Sequence, residues 1–316
     1  MKRTISYMVI LSILFSLTLF FLVYDHGEVF DENAKKYICI ANSGFYYWNS
    51  IREGIEAADR DQGSYTKWVE FERYDTEEQI RLLENTQYLD VDGVITVGEP
   101  YSAEFNQAIQ KIVDRGIPVA LIDTDSPESG RTYYVGTDNY QAGYLAAKVI
   151  ADNTDGNADA AIIVSKLTYA NQQERYQGFL DCLEKYENMR LVTIIEAEGD
   201  KLTMQDQLAA AFEEYPSISA IFCAESASSR RLEPLLENLR KTDLTIIGFD
   251  RSDFTLDFIK NDFYLGTIIQ SSYDSGYQAV SCLNQHTPDS PRRTVYTNTT
   301  CVTKENFDEF FPDYGK

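Results

Sequence analysis

From residue 37 onward, short β-branched apolar runs take turns with longer stretches whose apolar residues recur at helical spacing. The strand pattern falls at 37–41 (YICIA), 67–73 (KWVEFER), 92–97 (DGVITV), 117–122 (IPVALI) and 158–165 (ADAAIIVS). It returns at 190–197 (RLVTIIEA), 218–223 (ISAIFC), 243–249 (DLTIIGF) and 264–270 (YLGTIIQ). Between these runs the spacing predicts helices near 48–61, 76–89, 102–115, 138–152, 172–186, 202–214, 226–240, 252–260 and 272–284. Strands without a polar face, alternating with helices, predict an α/β fold whose parallel sheets are covered on both sides. Several runs end in acidic residues: Asp123 to Asp125, Glu225 and Asp250. In such folds ligands collect beyond the carboxyl ends of the strands, so these residues are candidates for a site.

The N-terminal pattern is different. Lys2 and Arg3 precede an uncharged apolar run from Ile5 to Tyr24, and Asp25, Glu28, Asp31 and Glu32 follow it. A run of that length suffices to cross a bilayer, and the charge asymmetry puts the N-terminus inside and the rest outside. No small-residue cleavage site and no lipidation cysteine follow it. An uncleaved signal-anchor is therefore favoured over residues 1–26, with a cleaved signal peptide as the alternative; a polar linker follows over 27–36, and either way the folded part is extracytoplasmic.

A chain of 316 residues suits two lobes better than one core. With 50 acidic against 28 basic residues, the net charge of −22 repels phosphate backbones and argues against a nucleic-acid partner. The five cysteines show no zinc-ligand spacing. Cys39 and Cys223 lie in apolar runs and read as core thiols, while Cys282 and Cys301 would pair only in an oxidising compartment. The turn-rich stretch DNTDGNADA at 152–160 does not match a calcium-loop spacing. No nucleophile elbow, dinucleotide fingerprint, phosphate-binding loop or HExxH motif is present, so neither an enzyme nor a cofactor is expected.

One short stretch is unusual. In ANSGFYYWNSIREGI, Tyr46, Tyr47 and Trp48 stand at a strand-to-helix turn, where small polar residues are the rule. The segments FYYWNSIREGIEAA, DVDGVITVGEP, GIPVALIDTD, YVGTDNYQAGYLAAKVI, QERYQGFLDCL, LTIIGFDRSDFTLDFI and GTIIQSSYDSGYQAV occur in that order. Together they resemble the type I periplasmic sugar-binding proteins of the ribose-binding kind, whose core is shared with the lactose-repressor family. The likeness runs from about residue 36 to 301. It implies two lobes of Rossmann type joined by three hinge crossovers, the first over 36–137 plus 271–297 and the second over 138–270 plus 298–316. A repressor would need a basic DNA-binding segment ahead of this core, where this chain has its apolar run.

The resemblance also implies a ligand set. Tyr47 and Trp48 match the family's first-loop aromatics, which stack on the apolar face of a sugar ring. Asp123, Arg175, Asp250 and Gln270 match its hydroxyl-binding residues. Two positions depart from the ribose pattern: Thr124 stands where those proteins carry arginine, and Glu225 where asparagine or aspartate is usual. A pocket holding Asp123, Glu225 and Asp250 against Arg175 disfavours anions and suits a neutral or amine-bearing sugar or polyol. The expected partner is an ABC permease, or alternatively a membrane histidine kinase if the protein senses rather than transports.

Overall fold

The first strand, β1 (Lys35–Ala41), sets the architecture because both of its faces are buried. Tyr37, Cys39 and Ala41 point into one apolar cluster, and Ile38 and Ile40 into another on the opposite side of the sheet. Such a strand must be covered twice, and helices supply the cover. The computed structural model describes residues 33–42, 46–70, 75–197, 201–239 and 243–314, which form one compact unit from Lys35 onward. The predicted membrane segment and most of the linker lie outside the described residues. No helix among the described residues is long and apolar enough to cross a membrane.

Two six-stranded sheets are present. The first holds β1, β2 (Ser64–Glu70), β3 (Gly93–Val97), β4 (Val119–Ile122), β5 (Tyr133–Thr137) and β11 (Arg293–Thr297), all parallel, in the order β11-β5-β4-β3-β1-β2. The second holds β6 (Asn157–Val164), β7 (Asn188–Glu196), β8 (Ile218–Cys223), β9 (Thr245–Phe249), β10 (Gly266–Gln270) and β12 (Thr299–Thr303), in the order β12-β10-β9-β8-β6-β7. Among the described residues only β12 runs antiparallel to its neighbour.

The chain passes between the sheets three times: from β5 into α4 (Asn139–Asn153), from β10 into α9 (Ser272–Asn284), and between β11 and β12. The remaining helices are α1 (Tyr46–Gln62), α2 (Thr76–Asn85), α3 (Ala103–Asp114), α5 (Ala170–Leu183), α6 (Lys201–Glu214), α7 (Ser226–Asn238), α8 (Asp253–Lys260) and the short α10 (Phe307–Phe310).

The sequence reading needs correction at the strands. It omits β5, β11 and β12, and it sets β2 three residues late. The strand β5 (YYVGT) is wholly buried, but its two tyrosines and Gly136 do not read as an apolar run. Burial is possible because the Tyr134 hydroxyl donates to the carbonyls of Asp123 and Thr137, each at 3.0 Å. The other two, RTVYT and TTCVT, lie at sheet edges and are largely polar. For β2, the left-handed Gly63 (φ +68°) ends the preceding helix and starts the strand at Ser64. Cys282 and Cys301 lie on α9 and β12 respectively, and both are free thiols.

Candidate functional site

Asp123 follows β4 of the first sheet, and Asp250 follows β9 of the second. Both adopt left-handed backbone angles, φ 63° in each case. Aspartate tolerates this region better than most residues, yet the conformation still costs roughly 1 to 3 kcal/mol and concentrates at functional positions. Arg175, from the middle of α5, carries the positive charge between them. It is 3% exposed, and its charge acts on Asp250 first and then on Asp123.

Three contacts fix the guanidinium. Nε donates to Asn139 Oδ1 at 2.8 Å, Nη1 donates to the Ala224 carbonyl at 2.8 Å, and the group lies 3.7 Å from the Phe249 ring centroid. Asp250 accepts a 2.6 Å bond from Gln270 Nε2, itself 8% exposed. Asp123 accepts from Thr124 Oγ1 at 3.0 Å and from the Tyr47 hydroxyl.

Electrostatics follow from this burial. Removal from water pushes the Asp250 carboxyl up to about 6, against the pull of Arg175. Burial raises Asp123 too, and the same guanidinium restrains it. The hydroxyls of Tyr47 and Tyr134 are held neutral, well above the usual phenol range, first by burial and then by the Asp123 charge. Such a site offers charged acceptors in a low dielectric, where a ligand hydroxyl bonds more strongly than in water.

The adjacent aromatics Tyr47 and Trp48 meet edge to face, with centroids 5.1 Å apart and planes at 82°. Each is half-buried against the core of the first sheet and opens onto a cavity. Tyr47 lines a cavity of about 200 Å³ together with Tyr46, Asp250, Arg251, Gln270 and Tyr273. Trp48 lines one of about 260 Å³ with Glu99, Tyr101, Asp123, Tyr169 and Gln172. The unusual aromatic run therefore does both jobs, closing the core behind and presenting rings to the cleft in front.

Two contacts cross the cleft near these cavities. Tyr101 donates to Gln173 Oε1 at 2.6 Å, and Arg251 Nη1 donates to the Tyr46 hydroxyl at 2.5 Å while lying 4.5 Å from that ring's centroid.

The structure thus gathers Tyr47, Trp48, Asp123, Arg175, Asp250 and Gln270 at facing strand ends. Glu225 is placed differently. Its carboxylate caps α7, accepting from the backbone N–H of Ala227 at 2.6 Å and Ser228 at 2.7 Å, and also from the Ser228 hydroxyl. It lines neither cavity and reaches the site only through its charge on Asp250. Asp125 is likewise engaged elsewhere, in a bidentate pair with Arg131 at 2.5 and 2.6 Å.

Sequence reasoning missed Asn139, which orients Arg175, and also Glu99 and Gln172. Glu99 sits just past the end of β3, so the strand-end rule that selected Asp123 would have found it. Among the described residues no group of His, Cys, Asp and Glu side chains is arranged to hold a metal ion.

Comparison with known proteins agrees with this architecture. The D-apiose import binding protein of Actinobacillus succinogenes is 23% identical over 175 residues, covering 55% of this chain and 56% of that relative. A glucose-galactose binding protein of Geobacillus stearothermophilus, GanP, has a solved structure that superposes with a TM-score of 0.80. It is 28% identical, and the match covers 87% of this chain and 99% of that one. A solved XylFII–LytSN complex contains a similar chain, at 26% identity and a TM-score of 0.75 over 86% of this chain and 98% of that one. Proteins of this kind bind solutes and are not enzymes. The description "periplasmic binding protein domain" matches residues 37–287, most of the folded part, and the chain belongs to that family.

Proposed function

We propose that the chain captures a small neutral or amine-bearing sugar or polyol between its two lobes, outside the cytoplasm, and presents it to an ABC permease. One observation carries the reading: Asp123 and Asp250 face each other from the two sheets across a buried Arg175, with Tyr47 and Trp48 alongside. Sugars need flat apolar contact for the ring face and charged acceptors for the rim, and this site supplies both. The similarity to a D-apiose import binding protein and to a glucose-galactose binding protein supports a sugar in this role. The uncharged run at Ile5–Tyr24 supports a membrane tether that keeps the lobes near their partner.

A second reading, ligand sensing through a membrane kinase, is favoured by the similarity to a protein solved in complex with another chain, LytSN. Neighbouring genes separate the two readings: permease and ATPase genes support import, and a histidine kinase with its response regulator supports sensing.

The capture itself is tested by thermal unfolding of the full-length protein against monosaccharides, polyols and amino sugars. A compound at a hundred times its Kd stabilises the folded state by about 2.7 kcal/mol. At least one sugar is expected to raise Tm, and Trp48→Ala or Asp250→Ala to abolish that rise. A broad panel with no shift overturns the proposal.

A further inference from the structure

The cavity beside Trp48 contains two polar atoms with nothing to bond. Gln172 is 5% exposed, and its Oε1 has no hydrogen-bond partner; Oε1 of Glu99 is buried and equally unpartnered. Both side chains line this same cavity. A buried acceptor left unpaired costs about 1 to 3 kcal/mol, and native proteins keep few of them. These two come from different lobes, Glu99 just past the end of β3 and Gln172 in the first turn of α5. A donor held between the lobes would satisfy both at once.

The surrounding charge says which donor. Glu99 and Asp123 line the cavity, and among the described residues no lysine, arginine or histidine lines it with them. Arg175 acts on Asp123 but is not among the residues lining this cavity; two of its nitrogens are bonded to Asn139 and Ala224, and its face is laid on Phe249. A ligand hydroxyl brings a single donor and no charge. An ammonium brings three donors and a positive charge that the cavity lining does not supply. The rings of Trp48, Tyr101 and Tyr169 line the same space, and a cation is favoured near aromatic faces.

We propose that Glu99 and Gln172 form a subsite for the primary ammonium group of an amino sugar, with Glu99 as its ion-pair partner and the Gln172 carbonyl as a second acceptor. This rests on the sugar-binding reading and narrows it. The state of Glu99 fits the assignment: burial, and then the Asp123 charge, push its carboxyl up to about 7. With the cavity empty it is poorly ionised for a glutamate, and an arriving ammonium restores its charge.

The test is calorimetric titration of the full-length protein with matched sets: galactose, galactosamine and N-acetylgalactosamine, and the same three forms of glucose and mannose. In at least one set the free amine is expected to bind about tenfold or more tightly than both the hydroxyl and the acetylated member, as a charge-assisted bond in a buried site requires. Glu99→Gln keeps the shape, removes the charge, and should bring that ratio close to one. Gln172→Met removes the second acceptor and should narrow it.

If the amines bind no better than the neutral sugars, or if Glu99→Gln keeps the ratio, the subsite is wrong and the sugar reading stands. If no neutral sugar and no amino sugar binds, both are wrong. Should Glu99→Gln fail to fold, the wild-type ratio and Gln172→Met decide the matter.

Discussion

Asp250 illustrates what a buried carboxylate costs the protein that carries it. Its carboxyl is buried, its backbone is left-handed, and its folded pKa of about 6 lies above the ordinary aspartate value. Between the two values the native state holds a proton that the unfolded chain has released. Stability therefore falls as pH rises through this window, and the loss persists at neutral pH. Asparagine tolerates the same backbone angle and still accepts the bond from Gln270. Asp250→Asn is expected to stabilise the ligand-free protein at pH 7.5 by an amount on the order of 1 to 3 kcal/mol, seen as a higher Tm. The gain should shrink as pH drops towards 4, and sugar affinity should fall about tenfold or more as a charged acceptor is lost. Calorimetric melting across that pH range checks it; an unchanged profile would mean the charge is not held at a cost. Asp123, Asp250 and Gln270 are legible in the sequence because the end of an apolar run marks a strand end and family motifs mark which ends matter, whereas Arg175, inside a helix, is legible through its motif alone. Glu225 follows the same rule, but the serines after it turn its carboxylate to capping. The unpaired state of Gln172 is a property of its surroundings, and one chain position does not carry it.

Helix pairing explains why the recognisable motifs contain glycines. A Cβ on Gly143 of α4 would lie 1.9 Å from the Arg175 carbonyl oxygen, and one on Gly178 of α5 would lie 1.9 Å from that of Tyr140. The two helices are thus in backbone contact, and that contact seats the segment bearing Arg175. The first lobe repeats the device, with Gly54 of α1 against Tyr273 and Gly276 of α9 against Ile51, each 2.0 Å from a carbonyl oxygen. Gly143→Ala is expected to force α4 and α5 apart and to destabilise by about 1 to 3 kcal/mol, seen as a lower Tm. Sugar affinity should fall with it, because Arg175 shifts although Gly143 lines neither cavity. An unchanged Tm and Kd would show that the helices accommodate the methyl group. Nine of the ten helices named above were legible from apolar residues recurring at helical spacing between the strands, and the four-residue α10 is too short to show such a pattern. The strands β5, β11 and β12 were not, since tyrosines with bonded hydroxyls and polar edge positions break the apolar pattern that identifies a strand.

The three passages between the sheets adjoin the site. Asn139, at the start of the first, bonds Arg175; Gln270, at the end of β10, bonds Asp250; and the N–H of Ser271 donates to the Asn298 carbonyl at 3.1 Å, joining the second passage to the third. A ligand that engages both aspartates would then act on the segments about which the lobes turn. In that scheme affinity depends on the closing equilibrium as well as on cavity contacts, because ligand stabilises the closed arrangement differentially. The Tyr101–Gln173 bond isolates the closing term, since Gln173 is an exposed residue of α5 that lines neither cavity. Gln173→Ala removes one bond between the lobes, worth about 0.5 to 1.5 kcal/mol, and should weaken sugar binding roughly two- to tenfold. The change belongs in the dissociation rate, where most single-contact effects on affinity fall. Melting of the ligand-free protein should stay near wild type, alanine being a good helix residue. Stopped-flow dissociation and equilibrium titration measure the two quantities. A variant that releases its sugar at the wild-type rate would mean that closure is held by the cavity alone.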